Sequence, residues 1–286
     1  MACVGGSVAV SGTLAAAPLM TTQAIRYAVA VALFLAVARL TGRRIPRPRG
    51  TEWLWLFGVA VSGLVLFNVG LVRGAEHAEP AVFGVAIACV PLVLALTGGR
   101  RQPRVVLGAA VVTVGAVLVE GGGRTDLPGL GWAALVLACE VGFTLFAVPV
   151  LGRLGPWGVS VYSCGIAVVL LGAIGVGVEG PTAVTRLSAA EVLAVGYLAV
   201  VVTLLAFLLW YGAVAVLGPA RAGLLTGVVP IAAAAAGAML GGPLPGPVVW
   251  AGIALVALGL ALGTRDGAAR RVGDRAAAVS GCAGRG

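Results

Sequence analysis

Lysine is absent from this 286-residue chain, histidine occurs once, and charged residues of both signs make up only 10% of it. A soluble domain carries about 25% charged residues and uses them to cover its surface. So little charge excludes that class. The chain is 60% hydrophobic with a mean hydropathy of +1.09, which reads as an integral membrane protein. Alternation of apolar and polar residues in segments of about ten, the mark of a membrane β-barrel, is also missing. The apolar runs are instead continuous and about twenty residues long, so the spans are helical.

Cysteine is scarce as well. The five cysteines show no C-x-x-C pair and no metal-like spacing. Cys3, Cys89, Cys139 and Cys164 lie in apolar runs, where cysteine behaves as a small hydrophobe, and Cys282 lies in the polar tail. No disulfide, zinc site or other metal site is expected. The lone His77, flanked by Glu76 and Glu79, offers too few ligands for one. No Walker motif appears, so this chain does not hydrolyse ATP, and no cofactor is expected.

All nineteen basic residues are arginine, and they produce the net charge of +9. In a soluble protein that excess would suggest nucleic acid, but no aromatic-interleaved basic patch or nucleic-acid motif accompanies it. In a membrane protein it marks cytoplasmic loops.

Ten spans are expected. The first run, Ala2–Ala17, ends in LAAAP like a signal-peptide cleavage site, yet no basic residue precedes Arg26. A first helix, its start lost if the start codon is assigned late, is the better reading. Nine more spans follow near Met20–Leu40, Trp53–Val72, Ala81–Thr97, Val105–Val119, Leu130–Leu151, Val159–Val178, Glu191–Gly212, Ala220–Leu240 and Val248–Gly263. Residues 265–286 have no apolar periodicity and read as a disordered cytoplasmic tail. With ten spans, Arg39, Arg43, Arg44, Arg47 and Arg49 share one side with Arg100, Arg101, Arg104, Arg153, Arg221 and the five arginines of the tail. Only Arg73, Arg124 and Arg186 fall opposite, which places both termini in the cytoplasm.

The halves resemble each other. Pro18 opens the second span as Pro156 opens the seventh. Pro80 and Pro91 are spaced like Pro219 and Pro230, and Gly108 and Gly115 like Gly252 and Gly259. The domains so defined are residues 2–120 and 128–264, each with five spans. An odd count turns the second copy over, so the fold class expected is all-α with two inverted five-helix repeats, an arrangement suited to alternating access. The chain resembles the EamA-type members of the drug/metabolite transporter superfamily. The resemblance rests on an arginine early in the second span (AIRYAVAVALFL) and on small residues with proline in the fourth and ninth (AEPAVFGVAIACVP, GPARAGLLTGVVP). It rests also on G-x6-G in the fifth and tenth (LGAAVVTVGAVL, AGIALVALGLAL). It implies export of small metabolites, amino acids or drugs across the cytoplasmic membrane. The glutamate that the family carries after the fourth and ninth spans is missing from LTGGRRQ and LGGPLPG.

Glu140 is the acid to explain. A carboxylate within a span costs about 2.5–3.5 kcal/mol on insertion scales, so its presence points to binding a substrate or a coupling proton. Arg26, well inside the second span, either pairs with Glu140 or snorkels to the headgroups. Asn68 is a third candidate, as helix-to-helix glue or substrate contact. Trp210 and Tyr211 are aromatic cavity candidates, with an interfacial belt as the plain alternative. Pro91, Pro149 and Pro230 are expected to kink helices. Gly58-x3-Ser62, Gly70-x3-Gly74 and Gly259-x3-Gly263 read as packing seams. The expected partners are a small-molecule substrate, a coupling proton and the bilayer, with the protein a monomer or homodimer. The competing readings are an intramembrane enzyme, for which no nucleophile–base pair or paired acids exist at membrane depth, and a non-transporting scaffold.

Overall fold

The computed structural model describes residues 17–98, 102–229, 231–232, 235 and 246–264. Eight of the described helices are long and apolar enough to cross a membrane. They are α1 (Leu19–Leu40), α2 (Glu52–Gly74), α3 (Pro80–Thr97), α4 (Pro103–Glu120), α5 (Leu127–Leu145), α6 (Val148–Val178) and α7 (Ala189–Leu217), with α9 (Pro247–Thr264) the last of the described helices. The short α8 (Pro219–Leu224) lies between α7 and α9 and runs into a 3₁₀ turn, Leu225–Gly227. Residues 2–16 of the expected first span, Pro230 with residues 233–234 and 236–240 of the ninth, and the tail lie outside the described residues. No strand occurs among the described residues, where the extended pairing is a single bridge, Ala78 to Thr125.

Uniformly apolar helices have little use for an amphipathic face, so their ends are set by caps and by glycine or proline. Asp126 caps α5 by accepting from the Gly129 N–H at 2.7 Å. Ser188 and Glu191 form a capping box at the start of α7. Proline occupies the N-cap of α1 and supplies no side-chain acceptor. The acceptor comes from far along the chain: Glu179, just past α6, takes the N–H groups of Met20 and Thr21 at 2.8 and 2.9 Å and the Thr21 hydroxyl at 2.7 Å. Gly121, Gly155 and Gly218 carry the positive φ needed where α4 ends, α6 bends and α7 ends.

Two expectations change here. The sixth span stops at Leu145 instead of Leu151, because the chain breaks helix at Phe146 and Ala147 and starts again at Val148. Pro149 therefore does not kink a span. It sits in the first turn of α6, where a missing N–H costs nothing, and the bend in α6 falls at Gly155 before Pro156. Pro91 does coincide with a break: α3 is interrupted at Cys89, and proline has no N–H to offer the Ile87 carbonyl.

The buried apolar side chains form two main clusters, one larger and one smaller, beside two minor ones around Val136 and around Val90 and Leu94. In the larger, Tyr27, Phe34, Leu56, Leu64, Leu171 and Tyr211 are fully buried among α1, α2, α6 and α7. In the smaller, Ala109, Val112 and Ala116 of α4 meet Leu224 of α8 and Val256 of α9. Large apolar side chains such as Leu54, Leu107, Val169, Leu193 and Trp250 face outward, as lipid contact demands and water would not permit. The small-residue seams are internal, since Gly70 lies against Val136 and Gly58 against Phe146.

Candidate functional site

Glu140 stands on α5 about 20 Å from the Leu127 end and about 8 Å from the Leu145 end, at 1.5 Å per residue. Because α5 ends early, this carboxylate is nearer one end of its helix than its run of apolar residues suggests. Its side chain is half-buried, and among the described residues it makes no hydrogen bond or ion pair. The Thr144 hydroxyl leans toward its backbone carbonyl at 3.4 Å. Next along α5, Gly142 lies against Ser62 of α2, and the Phe143 ring meets Phe207 and Tyr211 of α7 at centroid distances of 5.2 Å.

Arg26 is held elsewhere. Its Nε donates to Thr203 Oγ1 at 2.8 Å and its Nη1 to Gln23 Oε1 at 3.2 Å. Its guanidinium carbon lies 5.2 Å from the centre of the Tyr27 ring. The ion pair between Arg26 and Glu140 that the sequence allows is therefore absent. Arg26 faces polar groups of α1 and α7, and no headgroup-directed snorkelling is needed to satisfy it.

Asn68 is on the same side of the protein as this cluster. Its Nδ2 donates to Tyr27 Oη at 3.3 Å and to the Leu64 carbonyl at 2.8 Å. Tyr211 is fully buried and donates its hydroxyl to the Phe143 carbonyl at 3.3 Å. Trp210 is buried too, and its Nε1 has no partner among the described residues. Both aromatics are core residues, so the interfacial belt is not their place. The structure thus joins Arg26 to Asn68 through Tyr27 and brings Tyr211 to the α5 turn beside Glu140. Pro91 lies on the part of α3 whose Val90 and Leu94 pack with Val141, the residue after Glu140.

Thr203, Gln23 and Tyr27 enter the cluster without a strong sequence signal. The one legible hint for Thr203 is its hydroxyl within the otherwise apolar run LAVVVTLL. Thr203 is completely buried, as a polar group can be only with partners on hand.

Two clefts lie away from these residues. One, of about 490 Å³, is walled by Leu96, Pro103, Val106, Leu107 and Ala110, all apolar. The other, of about 150 Å³, lies between Gln102 and Arg221, which are hydrogen-bonded at 2.9 Å.

Charged contacts tie the ends of the helices together. At the α2–α3 and α4–α5 connections, Arg124 pairs with Glu79 at 2.7 Å and His77 Nδ1 meets Asp126 Oδ2 at 3.0 Å. The Arg124 bonds hold the Glu79 carboxyl below the ordinary range, and the His77 bond does the same for Asp126. Elsewhere Arg153 of α6 forks onto Glu52 of α2 and onto the Arg47 carbonyl, and the Arg43 guanidinium lies over the Trp157 ring.

Comparison with known proteins bears on this arrangement. The EamA-like transporter family matches residues 127–265. The inner membrane transporter YedA of Escherichia coli (strain K12) is 28% identical over 259 residues, covering 86% of this chain and 82% of that protein. YedA of Escherichia coli O157:H7 matches to the same extent. A solved crystal structure aligns with a TM-score of 0.76 at 22% identity, across 95% of this chain and 96% of the other. That likeness shows a shared fold.

Proposed function

We propose that this chain, which carries an EamA-family domain over residues 127–265 and is homologous to an inner membrane transporter, is a secondary transporter that exports a small polar molecule by alternating access. The observation that carries this reading is Glu140, whose side chain has no partner among the described residues. A membrane protein has an arginine and a carboxylate inside its spans, and it spends the arginine on Thr203 and Gln23 instead of on the acid. That leaves the carboxylate for a proton or for a cationic group of the cargo. Arg26 and Asn68 supply polar contacts on the neighbouring helices.

Two features support the inverted repeat behind this mechanism, with residues 2–120 and 128–264 as its copies. Gly108 meets Gly259 and Gly115 meets Gly252, so the matched glycines of the two halves contact each other reciprocally, as a two-fold axis requires. The π-helical turns of α2 and α7 also begin at Ala60 and Leu198, as far apart along the chain as Pro18 and Pro156. The arginine distribution favours cytoplasmic termini and an inner-membrane location. Nothing in this site resembles a nucleophile with its base, which supports a transporter over an enzyme.

Purified protein in proteoliposomes, offered a panel of labelled amino acids and cationic drugs with and without a pH gradient, tests the reading. Gradient-dependent accumulation of at least one compound is expected. Vesicles that never exceed protein-free controls with any compound would favour a scaffold.

A further inference from the structure

A π-helical turn in a membrane span is an expensive local choice. Its carbonyls look for an N–H five residues on instead of four, the ladder is wider, and one residue's groups are poorly satisfied. The described residues contain two such turns, Ala60–Leu66 in α2 and Leu198–Leu205 in α7, at matching places in the two halves.

In each helix a polar side chain serves a carbonyl of the turn. The Thr203 hydroxyl donates to the Leu198 carbonyl at 3.2 Å, five residues back, and Asn68 donates to the Leu64 carbonyl at 2.8 Å. Both of these side chains are also tied to α1, and to consecutive residues of it. Arg26 Nε donates to Thr203, and Asn68 donates to the Tyr27 hydroxyl. One step of α1 therefore touches the two turns at once.

The turns also bracket the stretch of α5 just past Glu140. The Phe143 ring occupies the space where a side chain at Gly63, within the first turn, would lie, and Ser62 of that turn abuts Gly142. From the other side Tyr211, beyond the second turn, bonds the Phe143 carbonyl. A bend at either turn moves a neighbour of Gly142 or Phe143, two and three residues past Glu140.

We propose that α2 and α7 bend at their π-helical turns during transport, with Thr203 and Asn68 acting as positioning residues that couple those bends to Arg26 and Tyr27. A cargo that draws on Arg26 or Tyr27 loosens the bond that holds a turn, and both halves respond because the two α1 residues are adjacent. This rests on the reading of the Arg26 cluster as part of the transport site. Helices bend where the ladder is already open, so the motion needs no break in the flanking α-helical segments.

Spin-label distances within single helices test this in the full chain, with native cysteines replaced, in lipid nanodiscs. Labels at Leu193 and Val216 of α7 point outward, 75% and 65% exposed, and sit about 35 Å apart on a straight helix. Thr203→Val keeps the shape of the side chain and loses its hydroxyl; Thr203→Ser keeps the hydroxyl. The expected result is a distance distribution that broadens toward shorter values in Thr203→Val and matches the parent in Thr203→Ser. Labels at Leu54 and Val72 of α2 are expected to respond in the same way to Tyr27→Phe. An unchanged narrow distribution in Thr203→Val overturns the proposal, as does an equal change in Thr203→Ser. Should Thr203→Val not fold, Arg26→Gln removes the same bond from the other side and is read by the same criterion. No substrate is present in this measurement, so its failure and failure of the uptake assay are separate results.

Discussion

Gly108 of α4 and Gly259 of α9 meet backbone to backbone: a Cβ added to either would lie 2.7 Å from the carbonyl oxygen of the other. Gly115 and Gly252 repeat the contact seven residues away, with a Cβ on Gly252 only 2.6 Å from the Gly115 oxygen. Only glycine allows two helices to cross this closely in lipid, where close backbone approach and dispersion replace the hydrophobic effect.

Gly259→Ala is expected to force α4 and α9 apart at a cost of about 1–3 kcal/mol, the usual penalty for overpacking. The measurement is thermal unfolding in detergent, followed by loss of the monodisperse peak. Gly172→Ala, where nothing lies within 4 Å of the added carbon, is the control and should leave the curve in place. Equal melting of the two variants would mean that the crossing tolerates a wider separation.

Removing the Glu179 carboxylate exposes the first turn of α1. Glu179→Ala is expected to cost about 0.5–2 kcal/mol, the range for losing a capping acceptor. Hydrogen exchange should rise at residues 19–22 and stay unchanged at the α5 start, which has its own cap in Asp126. Unchanged exchange at the α1 start would show that the cap is dispensable.

Acid should weaken the clasp between the α2–α3 and α4–α5 connections. The Asp126 carboxyl is held below the ordinary 3.8 chiefly by His77, and Glu79 below 4.5 by Arg124. A lowered carboxylate contributes its stability above its unfolded value and loses it as pH falls through the folded one. Melting temperature should therefore drop as pH falls below about 4, and the drop should be shallower in Asp126→Asn. A slope identical in the two proteins would remove Asp126 from the account.

Glu140→Gln separates function from stability. The carboxylate has no partner among the described residues, so the neutral amide should leave melting unchanged or raise it. Transport should fall by about tenfold or more, the loss expected when one buried charge contact of about 1.5–3 kcal/mol is removed. Uptake equal to the parent across pH 6–8 would sink the assignment of Glu140 to cargo or proton.

Composition and run length were enough to show membrane helices, because a chain with this little charge has no surface to offer water. They also located Glu140, Arg26 and Asn68, since polar groups stand out against apolar runs. The G-x6-G pairs were visible as a pattern, but their contact was not, because spacing within a helix carries no information about which helix lies opposite. The end of α5 was misplaced for a local reason: Phe146–Leu151 is as apolar as a span, and hydropathy cannot see a break between two helices.

What the sequence determined by itself was the solvent of this protein, the family it resembles and the residues that are costly in lipid. Only the tertiary structure decided their partners. Arg26 and Glu140 are the two opposite charges that any pairing argument from sequence would join, yet Thr203, from a span far along the chain, satisfies the arginine at 2.8 Å. Hydrogen-bond geometry is set by how α1, α5 and α7 pack, and among the described residues that packing gives the Glu140 carboxylate no partner.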